Sequence, residues 1–443
     1  MNSNLNLTGD YQAGDLAPRM KRLGMILAVL GLGAGAAIGA FGDPETKTHF
    51  WFAYLVAFCF VLTIGLGALF FVIIGHVVNA HWNVTLRRLA ELTMGSLPVV
   101  CLFGLGMLIP FFDHDVEIWQ WDTINSSEAH AIDHGVEDAT HGGAAGAHSL
   151  SDTLDHEEHT KIVKGKAAYL NRNGFIGRLI AYFLIWAAMA KFFLSSSVKQ
   201  DTAGDSIDRV LRMKKIAAPG LFVFALTLSF AAFDLIMSLD ETWFSTIFGV
   251  YIFAGAFLSA NCWLVIMSKW LQAKGKMTDV INTEHYHDLG KWMFAFTFFW
   301  GYIAFSQFML IWYANIPEET HFYMNRTLGT WNSWSYLLMF GAFFFPFLAL
   351  LSRHVKRSTN VLRGMAVYVL IMHYVDLYWL IMPNFNRQFD VTEPSNPFGI
   401  VDIALTIGFL GLFLFGIARN AGKQSLLPIN DPLLAKCLGH KNL

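Results

Sequence analysis

Charge is what this chain has least of: Asp, Glu, Lys and Arg make up 14% of its 443 residues, against about a quarter in a typical soluble domain. A water-exposed fold of this size needs more polar surface than that. Cysteine is scarce as well. Cys59, Cys101 and Cys262 lie in apolar stretches and Cys437 lies near the C-terminus, so neither a disulfide framework nor a CxxC metal motif can be drawn. No CxxCH offers covalent haem attachment. A net charge of −2 gives no basis for binding nucleic acid.

Apolar and aromatic residues are abundant. The composition is 55% hydrophobic with 40 Phe and 14 Trp, which identifies an integral membrane protein of the all-α class. Ten apolar stretches are each long enough to cross a hydrocarbon core of about 30 Å as a helix. Their limits are near 21–42, 50–78, 89–112, 175–198, 216–239, 243–268, 290–314, 331–352, 362–382 and 399–419. Alternate connections carry 22 of the 31 Lys and Arg, the opposite ones carry 7, and Arg178 and Lys191 lie within spans. The positive-inside rule then predicts both termini in the cytoplasm. The expected organisation is a cytoplasmic N-terminal segment 1–20, spans one to three over 21–112, an acidic His-containing periplasmic loop over 113–174, spans four to ten over 175–419, and a cytoplasmic tail 420–443.

In the first span, Gly31, Gly33, Gly35 and Gly39 are read as contacts that let a neighbouring helix approach closely. A dinucleotide fingerprint would need a preceding strand, and none is present. The loop after the third span holds seven His and twelve Asp or Glu. His130 with His134 and His156 with His159 have spacings that suit a metal on a helix, but the Gly- and Ala-rich stretch between them fixes no geometry. The loop is read as an acidic surface or a docking segment, and no metal site is assigned. Between spans six and seven, His285, His287 and Asp288 are read as charged groups of a solvated loop, with a proton uptake route as the alternative.

Two stretches place ionisable groups inside apolar spans: FDLIMSLDETWFSTIFGVY over 233–251, with Asp234 in the span and Asp240 and Glu241 just beyond its end, and HYVDLYWLIMP over 373–383, with His373 and Asp376. An ionisable group in hydrocarbon is costly and usually functional. Spans five and nine run in the same direction, so at 1.5 Å per residue Asp234, Asp376 and His373 lie ~7, ~9 and ~13 Å before their helix ends. His373 and Asp376 share a helix face. Asp402 opens the tenth span, and Gln307 lies below Trp312 and Tyr313 in the seventh. A His and carboxylates lined by Trp, Tyr, Phe and Met suit a quinol head group, because a base within hydrogen-bond reach takes the protons its oxidation releases. His373, Asp376 and Asp234 are the expected catalytic groups, and Gln307, Trp243, Tyr313, Asp240 and Asp402 the expected quinone contacts. Tyr378 and Trp379 read as part of an interfacial aromatic belt. Glu91, Lys191, His76 and Ser229 are candidates for a proton path further in, although snorkelling and helix-end placement also explain Lys191, Glu91 and His76. His76 and His81 lie at the opposite membrane face from His373, so two axial ligands for a haem b are not at one depth. No haem or iron–sulfur cluster is expected in this chain.

The ten-span plan, these two stretches and the run EHYHDLGKWMFAFTFFWGYIAFSQFMLIWYANIPEET over 284–320 resemble the NrfD, or polysulfide reductase membrane subunit, family. Within it they resemble most closely the ActF-type quinone subunits of bacterial alternative complex III. The resemblance implies two four-helix bundles plus two further helices, menaquinol as the cofactor, and a place in a menaquinol to cytochrome c oxidoreductase of the bacterial inner membrane. It implies as partners a homologous ActC-type membrane subunit, an iron–sulfur and molybdopterin-like periplasmic subunit, haem c subunits, small membrane anchors and lipids. Two readings stand beside it. One is an anchor or proton conductor without its own exchangeable quinone. The other is a secondary transporter, for which internal repeats and a midplane site would be expected.

Overall fold

A computed structural model describes residues 9–39, 41–113, 115–125, 160–202, 206–388, 397–422 and 424–442. Ten helices are long and apolar enough to cross a membrane: α1 (Leu16–Gly39), α2 (Pro44–Val77), α3 (Val84–Phe112), α4 (Arg172–Gln200), α5 (Ile207–Leu239), α6 (Phe248–Ala273), α7 (Thr283–Ala314), α8 (Trp331–Leu351), α9 (Thr359–Asn386) and α10 (Ile400–Ala421). Among the described residues extended pairing is limited to one bridge between Gln12 and Ser425. The chain is an all-α, multi-pass integral membrane protein. All seven His of the 113–174 loop, including the pairs 130/134 and 156/159, lie outside the described residues.

The packing gives the expected two bundles, α2–α5 and α6–α9, with α1 and α10 paired alongside. Helix α2 is apolar on every face and buried along most of its length, as a helix at the centre of a bundle must be. Asp43 caps it by accepting from the Thr46 amide at 3.0 Å, and Pro44 opens it. Its Gly67 lies directly against α6, where an added Cβ would stand 2.7 Å from the Ala260 methyl. Asn282 caps α7 by accepting from the amides of Glu284 and His285, and α7 stops at Asn315, in the left-handed region at φ 49°. In α8, Pro346 has no N–H for the carbonyls a turn earlier, and the helix widens over Leu338–Phe344. The Tyr368 hydroxyl of α9 donates to the Gly341 carbonyl there at 2.9 Å.

Helices α1 and α10 meet backbone to backbone. A Cβ at Gly24 would stand 2.7 Å from the Phe415 nitrogen, Gly31 lies on Gly408, and Gly411 lies on Ala28. Gly35 faces Leu405 and Gly39 faces Phe50, while Gly33 borders open space. Close approach thus accounts for three of the four glycines singled out in the first span, and for Gly24 and Gly408 besides.

At the end of the bundle that carries both termini, residues 424–442 form a strap across the helix ends. The Leu426 amide donates to the Tyr11 carbonyl at 2.7 Å. Arg87 pairs with Asp431, and Arg88 donates to the Ser425 carbonyl at 3.0 Å. Cys437 is buried against His285 and Trp82, and His440 meets Asp288 at 2.8 Å. His285, His287 and Asp288 are therefore buried at the start of α7 and its strap contact, not held in a solvated loop.

Two predictions follow from this packing. Gly408→Leu forces α1 off α10 and costs about 1–3 kcal/mol, read as a lower melting temperature of the purified protein. Burial raises the Asp431 carboxyl, but the Arg87 guanidinium outweighs it and holds the group below its ordinary value. A depressed folded pKa gives stability that is complete above the unfolded value of about 3.9 and is lost as pH falls below it. The strap therefore stays protected from amide exchange at pH 7 and opens on acidification below about pH 4, whereas Asp431→Ala opens it at pH 7.

Candidate functional site

At the opposite end of the bundle, α5 breaks after Leu235 and the chain turns through 236–247 into α6. Beside this break the 160–171 segment folds over the helix ends. The two enclose a half-open, mainly apolar cleft of about 220 Å³, lined by Lys166, Tyr169, Met237, Asp240, Trp243 and Phe244 among others. The short helix Pro317–Met324 packs against Trp243. Its Phe322 ring stacks on Trp243 at 3.9 Å and 11°. Arg326 fixes that helix to α9 by donating to the carbonyls of Trp379 at 3.1 Å and Leu380 at 2.7 Å, with its guanidinium 3.5 Å over Phe322.

Asp240 and His321 form the polar centre of this region. His321 Nε2 lies 2.8 and 3.0 Å from the two Asp240 carboxylate oxygens. A carboxylate only accepts, so Nε2 carries the proton and Nδ1 is the free basic nitrogen of the neutral ring. Thr242 donates to Asp240 at 3.0 Å and the Trp243 amide at 3.3 Å, which fixes the carboxylate. Trp243 itself is buried, and its indole N–H has no acceptor among the described residues. A buried donor without a partner is costly. Lys166 donates to the carbonyls of Glu241 at 2.7 Å and Thr242 at 3.2 Å. Burial lowers its ammonium below the ordinary lysine value, while Asp240 and Glu241 pull the other way.

The expected catalytic groups divide into separate settings. Asp234 is fully buried in a bidentate pair with Arg178 of α4, at 3.0 and 2.8 Å, and accepts from Tyr182 at 2.9 Å. Tyr169 packs 3.9 Å over that guanidinium and also lines the cleft, so the ion pair forms the layer beneath it. Asp376 accepts from the Tyr251 hydroxyl and from Trp300 Nε1 at 3.2 Å. His373 lies a turn away, 2.9 Å from Thr63 Oγ1 of α2, against Gly255. Neither His373 nor Asp376 lines the cleft. A row of aromatic rings joins them to it, from Tyr251 to Phe248 at 6.1 Å and from Phe248 to Trp243 at 5.8 Å.

Of the expected quinone contacts, Trp243 and Asp240 are in the cleft. Gln307 is close behind it, accepting from Ser245 at 2.9 Å and donating to the Tyr323 hydroxyl at 3.1 Å. Tyr313 is elsewhere, 84% exposed on the outer surface of α7. Asp402 caps α10 by accepting from the Gly399 amide at 2.9 Å and faces His49 at 3.3 Å. Tyr378, read as part of an interfacial belt, is fully buried against Trp334.

The proton-path candidates are scattered. Glu91 is paired with Arg88 at 3.0 Å and Arg87 at 3.4 Å. His76 is buried near them and stacks on Phe193 at 5.7 Å. Ser229 is a packing contact for Gly249, and Lys191 is exposed on the outer surface of α4.

Sequence reasoning missed His321, Lys166 and the partner of Asp234. A signal for the last was present. Arg178 lies six residues into α4 and Asp234 five before the end of α5, so an unpaired cation and an unpaired anion stood at one depth in neighbouring spans. Breaking such a pair costs about 3–5 kcal/mol, because the surviving charge stays buried. Arg178→Met and Asp234→Leu are each expected to lower thermal stability strongly, and the double variant to recover most of it. If Asp234 acted only as a proton acceptor, Arg178→Met would leave stability unchanged.

Compared with known proteins, the chain matches no family model and no curated relative.

Proposed function

We propose that this chain is a membrane subunit of a bacterial quinol-oxidising complex of the alternative complex III type, and that the cleft beside Asp240 and His321 receives the quinol head group. The observation that carries the reading is a buried carboxylate in the wall of an apolar, aromatic-lined cleft, Asp240, which His321 holds from behind through both its oxygens. A cleft of 220 Å³ is smaller than the roughly 300–1,000 Å³ of drug-sized ligand pockets, so it suits a ring whose prenyl tail remains in lipid. Trp243 and Phe244 supply aromatic walls and Met237 an adaptable one.

A menaquinol bound there supplies two electrons and two protons. Asp240, the member of the pair that lines the cleft, is the group that takes a proton from a ring hydroxyl, and His321, bonded to both its oxygens, is the neighbouring base that carries it outward. The second proton leaves through the open side of the cleft. The buried Asp376, held by Tyr251 and Trp300, lies behind the aromatic row and outside this route. The electrons pass to partner subunits: an iron–sulfur and molybdopterin-like protein and haem c proteins docked at this end. A homologous membrane subunit and small anchors complete the assembly. The membrane is the bacterial cytoplasmic membrane, with the strap and both termini in the cytoplasm, consistent with the Lys and Arg bias.

A second reading, an anchor or proton conductor without exchangeable quinone, draws on the enclosure of His373 and Asp376, which have no access to the cleft. One experiment separates the two. In the assembled complex, Asp240→Asn with His321→Gln is expected to lower quinol to cytochrome c turnover by about 10²–10⁴-fold and to weaken binding of a quinol-site inhibitor. His373→Ala with Asp376→Asn is expected to leave both turnover and inhibitor binding intact. Turnover and inhibitor binding that survive both pairs of substitutions would place the active quinol site in a partner and leave this chain as anchor.

A further inference from the structure

Helix α5 packs on its neighbours through three arcs of its surface. Gly220, Thr227 and Asp234 face α4, where they meet Met189, Trp186 and Arg178. Phe224 meets Phe70 of α2, and Ser229 meets Gly249 of α6. Phe222, Leu226, Phe230 and Phe233 recur at helical spacing and so share one face, and none of these packing contacts falls on it. Phe222, Leu226 and Phe230 are exposed and Phe233 is partly exposed. The strip has no polar side chain over its ~16 Å length at 1.5 Å per residue.

The strip leads into the cleft. Phe233, at its outer end, lines the cleft together with Met237, a turn further on, and packs edge-on against Phe230 at 5.9 Å. Tyr169 of the covering 160–171 segment lines the cleft as well, and its ring lies 6.4 Å from that of Phe230. Lys166 ties the same segment to the turn beyond α5 through the Glu241 and Thr242 carbonyls. Protein thus occupies the layer in which a phospholipid head group would stand above the strip. The cleft is what the strip runs into.

We propose that this face of α5 seats the prenyl chain of the ligand whose ring occupies the cleft, so that the site is built for a long-chain prenylated quinol. The inference rests on the reading of the cleft as the quinol site. The chain leaves the cleft past Phe233 and runs along Phe230 and Leu226 to Phe222, deeper into the membrane. Three phenylalanine rings give it wide, stiff contact surfaces. Lipid is as apolar as the chain, so burial itself contributes little. What a seated chain contributes is orientation: it holds the ring against Asp240 and stops it turning in the cleft.

The test uses the assembled complex in nanodiscs and a bulky maleimide. The four native cysteines of this chain are buried, so in Leu226→Cys the reagent attaches at the strip, and the wild-type complex treated in the same way is the baseline. Quinol to cytochrome c turnover is measured with dimethylnaphthoquinol and with the same ring carrying a long prenyl chain. Before alkylation Leu226→Cys is expected to match the wild type with both. Alkylation is expected to raise KM for the prenylated quinol about tenfold or more, because a displaced chain misplaces the ring, and to leave dimethylnaphthoquinol turnover unchanged. Leu30→Cys, at an exposed position of α1, carries the same maleimide and is expected to change neither. A label at Leu226 that affects both quinols alike, or neither, overturns the proposal, as does an equal KM rise from the label at Leu30. The reading of the cleft is judged separately, by dimethylnaphthoquinol turnover in Asp240→Asn. If that turnover persists, the ring binds elsewhere and both inferences fail. If it falls while the label at Leu226 has no effect, the ring binds here and the chain takes another path.

Discussion

A charge removed from water must be met by an opposite charge, and that constraint shapes both ends of this molecule. In a medium of low dielectric an isolated ion costs many kcal/mol, and the attraction within a pair offsets that cost only when geometry is close and the remaining hydrogen bonds are made. At the cleft end Arg178 and Asp234 satisfy the condition in bidentate geometry, with Tyr182 donating to the carboxylate and the Tyr169 carbonyl accepting from the guanidinium. At the terminal end Arg87 and Arg88 satisfy it with Glu91, Asp201 and Asp431. The helices between are free to be almost wholly apolar because their charges are gathered into these two layers. In each layer the chain outside the spans completes the pairing: the 160–171 segment over Arg178, and the C-terminal strap over Arg87.

That division explains what could be read from the sequence. The ten spans were legible because hydrocarbon demands about twenty apolar residues per crossing, and each observed helix includes the core of an expected stretch. The small-residue contacts of α1 were legible for the same reason: without a hydrophobic force between helices, close backbone approach is the main attraction left, and Gly31 lies on Gly408 accordingly. Helix ends were less legible. Thr283 begins α7 seven residues before the apolar run at 290, because the Asn282 cap and the strap let His285, His287 and Asp288 be buried in a helix whose sequence there is polar.

The site was half legible. Depth along each span put Asp234 near one end, but α9 runs on to Asn386 and leaves His373 at its middle, and depth says nothing of azimuth. The azimuth of each helix decides that Asp234 faces α4, Asp376 faces α6 and α7, and His373 faces α2. Tyr378 was misread for the same reason, since an aromatic at belt depth turned inward is a core residue. His321 escaped notice because it lies between spans, where composition reads as loop. Its contact with Asp240 depends on Arg326 fixing a single short helix to the carbonyls of Trp379 and Leu380.

The cleft and the buried acids are therefore best understood as successive layers of one arrangement. The outermost layer has the hydrogen-bonded pair Asp240 and His321, with Asp240 buried and His321 partly exposed. The next has the Arg178–Asp234 pair, whose charges are already matched and which can change protonation only by breaking two short bonds. The innermost has Asp376, which is held by neutral donors alone, Tyr251 and Trp300. A carboxyl in such a setting is the one whose charge state depends most on what its surroundings do, because no fixed cation holds it ionised. The Tyr251–Phe248–Trp243 row joins Asp376 to the cleft wall by ring contacts alone, so packing, and not a chain of polar groups, links the outer layer to the inner bundle.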